Sequence, residues 1–264
     1  MSQTFGSSAL AQSSYPDLAG KVAVVTGGSR GIGAATAIAL GTNRAQVVVV
    51  GRDQTAIDAT VGAVQSAGGT ALGVAADCTV DVDLARLSDQ VESGFGHIDI
   101  LATFAGGNGM RVPTDKESGD HWREVIETDL TSCFLTVSAF LPSMVSRQSG
   151  VIITMASAAA RQAAKSSAAY AAAKAGVIAF TRHIAGEFGP TGIRANCVAP
   201  SAVENDRMRS WVSQEQREAL GASFPLGRIG QPEDVAAAVL FLSSAASSWI
   251  TGVTLDIAGG KVMI

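Results

Sequence analysis

Short apolar runs, closed by glycine-bearing turns and followed by amphipathic stretches, alternate along almost the whole chain. Residues 22–25 form an uninterrupted apolar run ending at Thr26-Gly27-Gly28, and residues 32–40 are alanine-rich and helical in composition. The pattern predicts a strand, a glycine turn and a helix. A second run at 47–50 ends at Gly51-Arg52-Asp53 and leads into an amphipathic segment, 54–67, that stops at Gly68-Gly69. Further strands are predicted at 71–75, 98–104, 151–155, 194–198 and 252–257, with helices over 81–93, 121–145, 168–188 and 232–243.

Strands alternating with helices imply right-handed βαβ crossovers. The predicted fold class is therefore α/β, a doubly wound parallel sheet covered on both faces, with ligands at the carboxyl ends of its strands. No internal repeat or linker divides the chain, so residues 15–264 read as one domain and residues 1–14, rich in Ser, Gln and Ala, as a flexible polar arm. Residues 201–224 break the alternation with a polar, charged insertion placed after a strand end. A substrate lid would sit there, and a solvated surface loop explains the same composition.

Composition narrows the partners. The 264 residues are 47% hydrophobic and 16% charged, which suits a single large core. Nineteen basic residues against 23 acidic ones leave a net charge of −4, and no run of Lys or Arg follows a phosphate backbone, so nucleic acid is not an expected partner. Cys78, Cys133 and Cys197 are odd in number and far apart in sequence, which suggests neither a disulfide framework nor a clustered metal site. The first fourteen residues contain no Lys or Arg and no apolar stretch long enough for a signal core or a membrane span; a cytoplasmic setting is expected.

The candidate chemistry starts at the first turn. Gly27, Gly31 and Gly33 stand where a backbone turns tightly, approaches a pyrophosphate and packs a helix on a sheet; Ser29, Arg30 and Ile32 complete the turn, whose helix amides would face phosphates. An ordinary strand-to-helix turn is the competing explanation. At the end of the second strand, Asp53 has the spacing of a carboxylate for a ribose hydroxyl, but Arg52, together with Arg30, suits a 2′-phosphate. NADP(H) is expected in preference to NAD(H).

Tyr170 and Lys174 are four residues apart on a predicted helix, so they share one face, with Cβ atoms roughly 5–6 Å apart. An ammonium beside a phenol favours the phenolate and so suits general acid–base work, although ordinary packing of a tyrosine over a lysine stem gives the same spacing. Ser157 follows the predicted 151–155 strand, where its hydroxyl would hydrogen-bond a substrate carbonyl. His97, His121 and His183 share no ligand spacing and no Gly-x-Ser-x-Gly turn is present, so metal catalysis and serine hydrolysis lack support.

Thr26-Gly27-x-x-x-Gly31-x-Gly33, Ser157 and Tyr170-x-x-x-Lys174, in this order, resemble the short-chain dehydrogenase/reductase family, in particular its 3-oxoacyl-acyl-carrier-protein-reductase-like members. Asn196-Cys-Val-Ala-Pro200, residues 225–234 and Gly259-Gly260 extend the likeness over about residues 18–260. The resemblance implies a Rossmann-type fold and hydride transfer between a nicotinamide and a carbonyl or secondary alcohol of a 3-oxoacyl thioester, ketone or sugar. Tyr170 would be the proton donor, Lys174 would hold the ribose and Ser157 would orient the carbonyl. Asp77 and Cys78 would meet adenine, and Ala105, Gly106, Pro200 and Val203 would line the cofactor. Dimers or tetramers through the long helices are implied as well, although Leu130, Phe134, Val137 and Phe140 would equally suit burial against the chain's own sheet.

The family pattern is also broken. Asp129 stands where members usually carry an asparagine that supports a lysine-bound water; an ionised aspartate cannot donate as an amide does, but it would pair with Lys174. Thr103-Phe104 and Ser201 depart from the usual residues of the cofactor floor. An aspartate at this position is similar to that of dienoyl-CoA reductases, which reduce alkenes but generally lack the tyrosine. A nucleotide-binding sensor without turnover is the reading of another class.

Overall fold

The computed structural model describes residues 14–107, 110–163 and 166–264. Among them, β1 (Val22–Thr26), β2 (Gln46–Gly51), β3 (Thr70–Ala75), β4 (Ile100–Thr103), β5 (Gly150–Met155), β6 (Ile193–Pro200) and β7 (Thr254–Ile257) form one sheet in the order β3-β2-β1-β4-β5-β6-β7, parallel throughout. The apolar runs are explained by covering on both faces. Successive side chains of a strand point to opposite sides, so Ala23 and Val25 of β1, with Val47 and Val49 of β2, join one core, while Val22, Val24, Val48 and Val50 join the other.

The first core is closed by α1 (Gly31–Thr42), α2 (Gln54–Ser66) and a late helix, Pro232–Ser243, through Leu40, Ile57, Val64, Val235 and Val239. The second is closed by α3 (Asp81–Phe95) and by a long helix in two parts, α4 (Gly119–Ile126) and α5 (Ser132–Ser146), and then by α6 (Ala168–Phe188). Two short helices follow β6, α7 (Asp206–Trp211) and α8 (Gln214–Ala222), and the late helix becomes α9. Strand order reverses between β1 and β4, and a crevice at the carboxyl ends opens at such a reversal. This is the doubly wound α/β fold expected.

Beyond small shifts at element ends, the structure differs from the periodicity as follows. The helix expected over 121–145 begins at Gly119 and is interrupted by a π-turn, Glu127–Thr131. The strand expected over 98–104 is confined to Ile100–Thr103. The 201–224 insertion is ordered into α7 and α8: Asn205 caps the first by accepting from the Met208 amide at 2.8 Å, and a Ser213–Gln216 capping box starts the second. Thirteen of the fourteen residues of the expected polar arm lie outside the described residues. The continuous helix Gly119–Arg147 is long and apolar enough to cross a membrane by composition alone, but its Val137, Phe140 and Met144 are buried in the second core. Phe134 of the same helix is 50% exposed and lies beside Phe180, with ring centroids 5.8 Å apart.

Candidate active site

The turn after β1 is built by contacts that exclude side chains. A Cβ on Gly27 would lie 2.6 Å from the Phe104 carbonyl oxygen, and one on Gly33 would lie 2.1 Å from the carbonyl oxygen of Gly27. These two glycines fold the turn onto itself and onto the end of β4. Gly31 is different: its φ is +51°, yet a Cβ there would meet nothing within 4 Å. No side chain among the described residues caps α1, whose N-cap is Arg30. An uncapped helix end beside open space fits a pyrophosphate, because its orphaned amides need an acceptor. The Thr26 hydroxyl accepts from the amides of Phe104 at 3.2 Å and Ala105 at 3.4 Å, fixing the start of the segment that carries Ala105 and Gly106.

The charged residues expected near the adenosine lie beyond β2 and β3. Arg30 pairs with Asp53, whose other oxygen accepts from the Ala56 amide as the cap of α2. That amide and then Arg30 hold the Asp53 carboxyl below the usual carboxylate range. Arg52 is 77% exposed on its side chain and lies 3.9 Å from Asp77. The Asp77 carboxyl accepts from the amide and hydroxyl of Thr79, which lower it in turn. The Cys78 side chain is buried in the second core.

The third group of residues meets around α6. Ser167 starts that helix by accepting from the Tyr170 amide at 3.1 Å, and Tyr170 and Lys174 share its inner face, with Nζ 5.7 Å from the Tyr170 ring centroid. Lys174 is buried; its ammonium donates to the Met155 carbonyl at 3.2 Å and pairs with Asp129 Oδ1 at 3.0 Å. Burial alone would lower this lysine, but the Asp129 carboxylate outweighs it and the lysine is raised. Asp129 sits on the π-turn, a distortion that often marks functional sites. The same Oδ1 accepts from the Gly107 amide at 2.7 Å, and a Cβ on Gly106 would come within 2.7 Å of it. One carboxylate thus ties the segment after β4 to the lysine of α6.

Ser157, half-buried, caps the 3₁₀ turn Ala158–Ala160 by accepting from the Ala159 amide at 3.2 Å, and that turn packs against α6. Immediately after it, Arg161 makes a forked ion pair with Asp256 of β7, with N–O distances of 2.9 to 3.2 Å. Pro200 ends β6 and is buried, and Val203 bridges to Gly230. Just after it, Glu204 receives Arg217 of α8 at 3.0 Å and Arg209 of α7 at 3.5 Å, so both helices of the insertion are fastened to one residue.

Ser157, Tyr170, Lys174, Asp129 and the residues assigned from the sequence to the cofactor therefore gather along the carboxyl edge of the sheet. The main-chain acceptor at Met155 and the donor at Gly107 have no signature in residue type and were not anticipated. Volume alone does not locate this edge: a cleft of about 520 Å³, lined by Lys21, Asp99 and Arg194, opens at the opposite ends of the strands. Another, of about 420 Å³, borders Val203, Asp256 and Gly260. Burial pushes the Cys133 thiol up to about 11 and raises Cys78 and Cys197, so none of the three is an activated nucleophile.

A family model described as enoyl-(acyl carrier protein) reductase matches residues 27–261. The chain is 36% identical over 245 residues to 7α-hydroxysteroid dehydrogenase of Escherichia coli strain K12, covering 93% of this chain and 95% of that protein. It is 37% identical over 253 residues to 3-oxoacyl-(acyl-carrier-protein) reductase of Vibrio cholerae, covering 94% and 100%. A structure of 7α-hydroxysteroid dehydrogenase in complex with NADH and 7-oxo glycochenodeoxycholic acid superposes with a TM-score of 0.88 at 34% identity, over 95% of this chain and 97% of the other. A crystal structure of 3-oxoacyl-(acyl-carrier protein) reductase from Brucella melitensis gives 0.86 at 32% identity, over 95% and 94%.

Proposed function

Because the chain is an enzyme of the short-chain dehydrogenase/reductase family of oxidoreductases, we propose that it interconverts a carbonyl and a secondary alcohol with NADP(H), using Tyr170, Lys174 and Ser157. The observation that carries this reading is the placement of Tyr170 on the inner face of α6 beside a buried, positively charged Lys174, against the turn that Ser157 opens. In reduction the Tyr170 hydroxyl gives its proton to the carbonyl oxygen, while the Ser157 hydroxyl donates a hydrogen bond to the same oxygen and stabilises its developing charge. Lys174 keeps a positive charge next to the phenol and would hold the ribose. When bound, the nicotinamide supplies the hydride in reduction and takes it in oxidation.

The turn at Gly27, Ser29, Arg30, Gly31, Ile32 and Gly33 would hold the pyrophosphate. Asp77 and Cys78 would flank adenine, and Ala105, Gly106, Pro200 and Val203 would line the nicotinamide half. The preference for NADP(H) over NAD(H) is supported by Asp53, whose carboxylate is engaged with the α2 amide and Arg30, and by Arg52, loosely paired and exposed enough to turn toward a 2′-phosphate. The named relatives support a ketone on an apolar body or a 3-oxoacyl thioester as the substrate class, with the insertion fastened at Glu204 serving as a lid. Asp129 favours one second reading, reduction of a conjugated thioester alkene, against which Tyr170 stands. The exposed Phe134–Phe180 pair suits self-association through α5 and α6, and three buried free thiols suit a cytoplasmic setting.

The test is oxidation of NADPH and NADH with a panel of ketones, sugars, 3-oxoacyl thioesters and enoyl thioesters. Alcohol formation that disappears in Tyr170→Phe supports the proposal. Alkene loss without alcohol formation would replace it with the second reading, and dinucleotide binding without turnover of any member would leave a sensor.

A further inference from the structure

The helix that carries Tyr170 has an unusual start. An α-helix leaves its first amides without internal partners, and in α6 those of Ala168, Ala169 and Tyr170 are answered from side chains, while Ala171 makes the first bond within the helix. Ala171 donates to the Ser167 carbonyl at 3.2 Å and Tyr170 to the Ser167 hydroxyl at 3.1 Å. The two amides before them donate to a residue 51 and 52 positions earlier in the chain: Ala168 to Glu117 Oε2 at 3.1 Å, and Ala169 to both Glu117 oxygens at 3.3 and 3.4 Å. The Glu117 side chain is only 4% exposed, and its Oε1 also lies 3.0 Å from His121 Nδ1. Burial pushes this carboxyl up, but the Ala169 amide, His121, Ser167 and the Ala168 amide together outweigh it and hold it below the ordinary range. An ionised group at this end of a helix is also favoured by the helix dipole.

Resting on the assignment of Tyr170 as proton donor, we propose that Glu117 is a positioning residue for that tyrosine: its carboxylate closes the amino end of α6 and fastens the segment before α4 to the turn that presents the phenol. Tyr170 is the third residue of the helix, so fraying of the first turn displaces it. Lys174 lies one turn deeper and is anchored independently by Met155 and Asp129. Loss of Glu117 therefore moves the phenol relative to the ammonium without disturbing the glycine turn, which lies on another helix. Small misplacements of a reacting group are costly in rate.

Glu117→Ala, Glu117→Gln and Tyr170→Phe are to be compared for kcat, for dinucleotide Kd by fluorescence titration, and for hydrogen exchange of amides 168–171. Glu117→Ala is expected to lower kcat about tenfold while leaving dinucleotide Kd within about twofold, and to speed exchange at those amides. Glu117→Gln, which keeps an acceptor oxygen, is expected to recover most of kcat. The proposal is overturned if Glu117→Ala exchanges as slowly as the unmodified enzyme, or if kcat and Kd deteriorate together and Gln rescues neither. Full activity in Tyr170→Phe would defeat the functional reading itself; a dead Tyr170→Phe beside a normal Glu117→Ala would defeat only the positioning role. The exchange measurement stands even without a known substrate.

Discussion

Lys174 Nζ and Asp129 Oδ1 lie 3.0 Å apart with their side chains 6% and 0% exposed, a buried ion pair beneath the candidate proton donor. Lysine is raised above its ordinary value of 10.5 here, so the pair's contribution to stability is complete below that value and is lost as pH climbs through the higher folded one. Asp129→Asn would leave a buried ammonium without its counter-charge, costing roughly 3–5 kcal/mol near pH 7. The cost should shrink as pH enters the lysine range, where the variant can carry Lys174 neutral. Thermal unfolding at pH 7 and above pH 10 checks this: an equal deficit at both would show that charge is not what joins the two residues.

Turnover should depend far more on Tyr170 than folding does. Tyr170→Phe is expected to reduce kcat by about 10²–10⁴-fold, and Ser157→Ala by about 10²–10³-fold. Both variants should melt close to the unmodified enzyme, because neither change opens a cavity in the two main cores. Steady-state kinetics with circular dichroism melts would decide it.

Cofactor choice should respond to the outer charges. Arg52→Ala is expected to weaken NADPH by about 10–100-fold, the loss of one charge-assisted bond to phosphate, and to leave NADH almost unchanged. Asp53→Asn should act in the opposite direction: Asp53 is held ionised, so its repulsion of a 2′-phosphate persists through neutral pH. Titrations of both dinucleotides against each variant would measure the ratio. An Arg52→Ala protein that still prefers NADPH would move the phosphate contact elsewhere.

Gly31→Ala and Gly33→Ala separate ligand from fold. A methyl group on Gly33 would collide with the main chain of Gly27, so that variant is expected to be recovered unfolded or in aggregates. Gly31 has empty space around its Cβ and only its positive φ to oppose alanine, about 1–3 kcal/mol of strain. It should fold and yet lose most dinucleotide affinity, which calorimetry on the purified protein would reveal.

Phe134→Glu should lower the association state. Phe134 is 50% exposed on α5 beside Phe180, so a charge there is expected to cost a monomer less than a packed interface. Light scattering after gel filtration is the readout, and an unchanged mass would remove α5 from the interface.

Much of this arrangement was legible in the residues. Alternating apolar runs predicted the strands of the sheet, and α6 and α9 begin and end where their sequence patterns do, at 168–188 and 232–243. The π-turn at Glu127–Thr131 was hidden because one inserted residue leaves apolar spacing on either side helical. The α7 and α8 helices were read as a polar insertion, since helices of six and nine residues present too few apolar positions for a period to show. Among site residues, the tyrosine, lysine and serine announce themselves by spacing. Glu117 does not, because its partners are backbone amides that any residue provides.

The forked pair between Arg161 and Asp256 joins the loop that leaves the serine turn to the last strand of the sheet. Its consequence reaches backwards along the chain. A protein emerging during synthesis would complete the nucleotide half and the tyrosine helix long before residue 256, but the loop beside Ser157 would wait for its anchor. Full alignment thus requires residue 256 to have been made, so a chain lacking it would possess the chemistry's parts without their alignment.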